Sequence, residues 1–380
     1  MQKLRISERL ALAVLPPLAA LAVVIGLFVL ERRDEMERSA RVVAFAEMSR
    51  AVATLVHELQ RERGASVGFV ASKGQKPEAR ELMTAQRRRT DAAAGAYRAL
   101  RAAPGSVESI GPRVDEAFGH ADREMAKLAE TRGAVDALTL RPPAVIAWYS
   151  AGIEEFFHAT AEVLKSVEET SVTTSLITLR SLMAAKEFAG QERATGNALV
   201  SAGTVEPERW RSWVEVLARE HDRLAEFRVM AEGVHDDLIR RLDGAKALAD
   251  LTPHRTTLGA AIESGTIVGL TSAQWWSATT AWVDELKAIE DVLNDAIAAT
   301  AAASVTAART HFIAYTGVGA ATLLLVAAIG LLVARSIAVP MGRTARLLDA
   351  IAAGDATVTA PAPLPVRSEI GRVSNAMRGF

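Results

Sequence analysis

The chain contains no cysteine, and only 5% of its residues are aromatic. The first absence excludes disulfides, thiolate metal sites and cysteine nucleophiles. Neither sign of charge is in excess: Lys+Arg 44 against Asp+Glu 45 leaves a formal net charge of -1 over 380 residues. So even a mixture argues against a nucleic-acid or polybasic lipid binder, and no nucleic-acid partner is expected. No P-loop, Rossmann glycine pattern or HExxH occurs. The seven histidines are scattered, and His221, His235 and His254 lack the helical pairing of a metal site, so structural or surface roles are expected. Ser150 and Ser201 stand in S-x-G sequences without the context of a nucleophile elbow. Glu154-Glu155 and Glu168-Glu169 read as solvated helix faces, and the Trp275-Trp276 and Trp210/Trp213 clusters as bundle core. The expectation is a protein that is not an enzyme and carries no cofactor.

What the chain has is apolar and helical. Half of it is hydrophobic, with two uncharged runs, Leu10 to Leu30 and Phe312 to Ala334. Each is long enough to cross about 30 Å of hydrocarbon at about 1.5 Å per residue. Ala20 and Ala22 form an A-x-A cleavage pattern, but the apolar run continues past it, which favours an uncleaved anchor over a signal peptide. Pro16-Pro17 is tolerable in a membrane helix. Lys3, Arg5 and Arg9 before the first run, with Arg335, Arg343 and Arg346 after the second, place both ends in the cytoplasm by the positive-inside tendency. The implied division is a cytoplasmic N-terminus (1–9), a first span (10–30), an extracytoplasmic segment (31–311), a second span (312–334) and a cytoplasmic tail (335–380).

Sustained two-residue alternation is missing from residues 31–311, whereas helical periodicity recurs between turn-forming stretches. The pattern predicts a long helix out of the membrane to about Ser72, then helices near 77–102, 107–131, 143–169, 173–201, 206–230, 233–250 and 253–263. A last helix from about 272 feeds the second span. Antiparallel helices in this number predict an all-α fold with two bundles.

After the second span, Pro340, Gly354-Asp355 and Glu369-Ile370-Gly371 resemble a HAMP linker. That resemblance implies a parallel four-helix coiled coil and hence a homodimer, with Leu347, Leu348, Ile351, Val373, Met377 and Phe380 as core candidates. The second helix stops at Phe380 before completing the module, so the chain is expected to be a fragment or to lack its output domain.

Two arginines break the amphipathic pattern of "HELQRERGASVGFVAS" (His57 to Ser72). At about 100° per residue, Val52, Val56, Leu59, Val67 and Val70 form one stripe, and Arg63 falls on it. Arg61 lies about 200° away, on a polar or intersubunit face. A buried guanidinium without a partner is costly, so Arg63 needs either an internal carboxylate such as Glu62, Glu187 or Glu192, or a ligand anion. "MAAKEFAGQERATGNALVSAG" (Met183 to Gly203) repeats the motif. There Arg193 shares a stripe with Leu182, Ala189, Gly196 and Val200, and the small residues around it would leave room either for a small anion or for close packing with an Arg-Glu bridge.

These blocks, with "TD" (Thr90-Asp91), "WYSAGI" (Trp148 to Ile153) and "QWWSATTAWVDELKAIEDVL" (Gln274 to Leu293), resemble the nitrate- and nitrite-sensing (NIT) domain of bacterial receptors. The resemblance implies a double helical bundle that holds nitrate or nitrite with arginines from separate helices. It carries over Arg63 and Arg193 as ligand-binding residues, Arg255 of "LTPHRTTL" less securely, and Arg61 least securely. It also implies a two-span bacterial inner-membrane receptor with a periplasmic sensor, relaying through HAMP to cytoplasmic signalling proteins. A methyl-accepting chemotaxis output is expected first, and a histidine kinase or diguanylate cyclase second.

Overall fold

The computed structural model describes residues 6–103, 111–166, 170–354 and 369–376, and among these it is built from helices joined by short turns. They are α1 (Ile6–Ala71), α2 (Pro77–Ala102), α3 (Pro112–Ala126), α4 (Leu128–Asp136), α5 (Pro142–Ser166), α6 (Thr170–Ala202), α7 (Pro207–Ala231), α8 (Asp236–Asp243), α9 (Lys246–Ser264), α10 (Ser272–Ala352) and α11 (Glu369–Ala376). Proline opens α2, α3, α5 and α7, where its missing N–H costs no helical bond. The one β-type pairing among the described residues is an isolated antiparallel bridge, Thr204 to Thr266. It joins the α6–α7 and α9–α10 turns, each entered through a glycine at positive φ, Gly203 and Gly265.

The chain divides into two compact units. Residues Met1–Glu37 and Thr306–Phe380 form one. In it, α1 and α10 each carry a stretch long and apolar enough to cross a membrane, with no part of that stretch buried within the chain. The two helices touch at glycines: a methyl group on Gly319 would stand 2.7 Å from Ile25, and one on Gly330 2.8 Å from Val14. Contact through small residues is how helices associate in lipid, where packing replaces the hydrophobic drive. Arg32 lies 5.3 Å from the Tyr315 ring at the end of the apolar stretch. Of the expected linker core, Leu347 is buried while Leu348 and Ile351 are exposed. The Val373 side chain, Met377, Phe380 and Asp355 lie outside the described residues.

The other unit, Arg38–Val305, holds one apolar core running from Val42 to Ala301. Two helical arrays share it, the C-terminal half of α1 with α2 to α5, and α6 to α9 with the N-terminal part of α10. They follow the same plan, with helix starts at Pro77 and Pro207 and again at Pro142 and Ser272.

Two expected boundaries move. A break at Thr252-Pro253 does not occur: α9 runs through Pro253, which sits on the exposed face where its missing N–H leaves no buried group unpaired. The break falls at Gly244 instead, leaving Leu242, Leu251 and Leu258 all buried. Similarly, the helix expected over 107–131 is divided at Lys127 into α3 and α4.

Candidate functional site

Arg63 sits on the buried stripe of α1, 5% exposed, between Leu59 and Val70. Its guanidinium meets Glu187 of α6 as a fork on a fork, Nη1 to Oε1 at 2.5 Å and Nη2 to Oε2 at 3.2 Å. Nη1 also donates to Ser150 Oγ of α5 at 2.7 Å. Glu187 accepts two further bonds, from Gln60 Nε2 at 2.9 Å and Gln191 Nε2 at 2.7 Å. Four donors saturate the lone pairs of a carboxylate, which is the condition for burying one.

Arg193 differs. Among the described residues no carboxylate stands within ion-pair distance of it. Nη1 donates to Thr280 Oγ1 at 3.1 Å, and the guanidinium lies over the Trp276 ring, 4.6 Å from its centre. Burial, then the charge of Arg63, lower its pKa to about 10, with Asp284 acting in the opposite direction. A guanidinium held this way carries charge that the protein has not neutralised. Beside it an open groove of about 700 Å³ is lined by Asn197, Trp276, Ser277, Thr280 and Asp284. Within it Asn197 leaves its buried carbonyl oxygen unbonded.

Each arginine packs against a glycine of the other helix. A methyl group on Gly190 would crowd Arg63 Nη2 at 3.3 Å, whereas one on Gly64 would make ordinary contact with Arg193 Nη2 at 3.7 Å, so only Gly190 is tight. Of the two uses open to Gly196, room for an anion or close packing, it serves packing: a methyl group there would lie 2.2 Å from the Trp275 ring. Trp275 and Trp213 are core as expected, whereas Trp276 is 42% exposed and belongs with Arg193.

Arg255 is directed to a different place. Nε and Nη2 pair with Glu192 at 2.9 and 2.6 Å, and Nη2 also reaches Glu220 at 2.7 Å. Trp282 Nε1 donates to Glu220 at 2.6 Å. One cation therefore serves two fully buried carboxylates, leaving no unsatisfied charge to attract an anion. Arg61 is exposed, as its wheel position requires, and its charge bears on Arg193 and His57.

The glutamates preceding the two arginines behave alike. Glu62 is held by Arg132 of α4 at 2.7 and 2.8 Å, with Tyr149 donating at 2.8 Å, and Arg132 also reaches Asp91 of α2 at 2.7 Å. Glu192 is held by Arg255 of α9, which also reaches Glu220 of α7. In both arrays "ER" thus directs its Glu inward to an arginine of the same array and its Arg toward the other array. Glu62 and Glu192, Arg63 and Arg193, and Ser150 and Thr280 are each 130 positions apart in the sequence. At the same offset Glu187 corresponds to His57, which burial and then the charges of Lys186, Lys287, Arg61 and Arg193 lower to about 2. His57 is therefore a neutral imidazole.

The sequence had marked Glu187 only as one of three partners for Arg63, and it missed Gln60, Ser150, Gln191, Trp276 and Thr280 as parts of the site. A signal existed for most of them. Gln60 and Gln191 are polar residues one helical turn from an acidic or basic one, and Ser150 and Thr280 appear once the two halves are aligned at the offset of the ER motif.

A family profile described as nitrate and nitrite sensing matches residues 54–298. That stretch holds all four arginines and is more than half of the chain, which therefore belongs to this family. No curated protein matches. Among solved structures the fold is similar to one titled "Structure of the NasR transcription antiterminator", with TM-score 0.64 and 18% identity, over 94% of this chain and 93% of that one.

Proposed function

We propose that this member of the nitrate and nitrite sensing family is a membrane-anchored receptor that binds nitrate or nitrite between Arg63 and Arg193. The observation that carries the reading is Arg193: a largely buried guanidinium with no carboxylate in ion-pair distance among the described residues, close to a second arginine near Gly64 and Gly190, and touching Trp276 and Thr280, which line an open groove. A planar monovalent oxyanion supplies the missing charge and presents oxygens in the plane of each guanidinium fork. Ser150 and Thr280 fix the two forks from opposite arrays. Arg255 then supports the site from behind, by holding Glu192 next to Arg193, and makes no contact with the anion.

The two apolar stretches support a two-span anchor with the Arg38–Val305 unit in the periplasm and both ends in the cytoplasm. An anion that binds both arginines favours the state in which α1 and α6 lie close, and a ligand shifts an equilibrium only through such a difference. α10 carries Trp276 and Thr280 and continues unbroken to Ala352, which makes it the output element. In this reading the chain is a homodimer joined through a HAMP-like segment after the second span, performs no chemistry itself, and passes its signal to cytoplasmic proteins of the chemotaxis class.

The test is isothermal titration of the full chain in detergent micelles with potassium nitrate, potassium nitrite and potassium chloride. Binding of nitrate or nitrite, none of chloride, and loss of binding in Arg63→Ala and in Arg193→Ala with circular dichroism unchanged is the expected result. Equal affinity in both variants and the parent chain would remove the arginines from the site.

A further inference from the structure

The two arrays are alike at Glu62 and Glu192, at Arg63 and Arg193, and at Ser150 and Thr280, and among the charged positions at which they differ one lies against the Arg63 fork. One array has Glu187 where the other has His57. Arg63 consequently meets a carboxylate while Arg193 meets none among the described residues.

The surroundings of Glu187 describe an anion receptor already filled. Its two oxygens take a guanidinium fork edge on and two amide N–H groups, all within 3.2 Å. A carboxylate and a nitrate or nitrite share the planar O–X–O edge that such a fork accepts. We propose that Glu187 is a built-in competitor: its carboxylate occupies the Arg63 fork when the site is empty, and the incoming anion must displace it. This rests on the reading that Arg63 and Arg193 bind nitrate or nitrite.

The asymmetry fixes the order of events. Arg193 has no carboxylate in ion-pair distance among the described residues and touches Trp276 and Thr280 of the open groove, so it captures the anion first. The bound anion then shares the Arg63 fork with, or takes it from, Glu187. Released on that side, Glu187 keeps the bonds from Gln60 and Gln191, so a displaced carboxylate is not stranded. The displacement also converts a bond between α1 and α6 into one bridged by the ligand, which is a change of state and not merely occupancy. A symmetric site with a carboxylate on both arginines would hold no net charge for the ligand, and one with none would leave two buried cations facing each other.

Glu187→Gln keeps the shape and removes the competing charge. In full-length protein titrated with potassium nitrate, its dissociation constant should fall about tenfold, the scale of one charged hydrogen bond no longer to be broken. The unliganded protein should melt lower, and nitrate should raise the melting temperature by more than in the parent chain. An affinity equal to or weaker than the parent's overturns the proposal, because a purely structural Glu187 has no reason to oppose the ligand. His57→Glu supplies the reverse arm if Glu187→Gln does not fold. A carboxylate at the corresponding position should neutralise Arg193 and weaken nitrate about tenfold or more, and an unaltered affinity there counts against the proposal. If the parent chain binds nitrate and loses it with Arg63→Ala, yet Glu187→Gln is unchanged, only the competitor fails. If the parent binds no nitrate or nitrite, the site reading fails with it.

Discussion

The Arg63–Arg193 and Arg255 clusters are built from the same residue types and differ in how many carboxylates they hold. In the first, two guanidiniums stand against one ion-paired carboxylate, Glu187, which pairs with Arg63 alone. In the second, one guanidinium serves Glu192 and Glu220. An excess of cation leaves a place for an anion, whereas an excess of carboxylate leaves a place for a proton. Burial and the neighbouring Glu220 accordingly raise Glu192 to about 7 despite the guanidinium beside it. Position on a buried stripe therefore does not assign an arginine's role; the local count of opposite charges does.

The comparison is most exposed at Arg255. Arg255→Ala strands two buried carboxylates and should cost about 3 to 5 kcal/mol of stability, read as a large fall in melting temperature with and without nitrate. A variant that melts like the parent but no longer binds nitrate would place Arg255 in the ligand shell and erase the distinction.

Gly196→Ala separates packing from ligand space. The added methyl group meets the Trp275 ring at 2.2 Å and must displace it. Overpacking of this kind costs about 1 to 3 kcal/mol, visible in denaturant unfolding and in tryptophan fluorescence. If the variant is as stable as the parent but binds nitrate less well, Gly196 belongs to the site after all.

The smallest effect is in the pH profile. With Glu192 raised from 4.5 to about 7, the folded chain holds a proton that the unfolded chain releases. Stability contributed by that proton is present below about pH 4.5, declines as pH rises toward about 7 and is gone above it. Glu192→Gln should flatten this slope in melting temperature measured between pH 5 and 8 in otherwise constant buffer. A slope unchanged by the substitution would assign the titration elsewhere.

Much of this was legible in the residues. The apolar runs marked the candidate spans, helical periodicity gave the elements of the Arg38–Val305 unit, and the wheel separated Arg63 from Arg61. The misplaced break between α8 and α9 followed from weighting Pro253 above Asp243-Gly244, when burial of Leu242 and Leu251 decided the turn. The site was half legible. Arg63 and Arg193 could be found because a charge on an apolar stripe violates a local period, but Ser150 and Thr280 violate nothing locally and show only when the halves are aligned.

By itself, then, the sequence determined the helical class, the two apolar stretches and the arginines that need an anion, since each depends on periodicity or length within one segment. Tertiary structure alone decided which anion each arginine has: Glu187 for Arg63, Glu192 and Glu220 for Arg255, and no carboxylate among the described residues for Arg193. The reason is that an ion pair acts over a few ångströms in space, and the partners of these arginines lie on other helices, 124, 63 and 35 positions away along the chain.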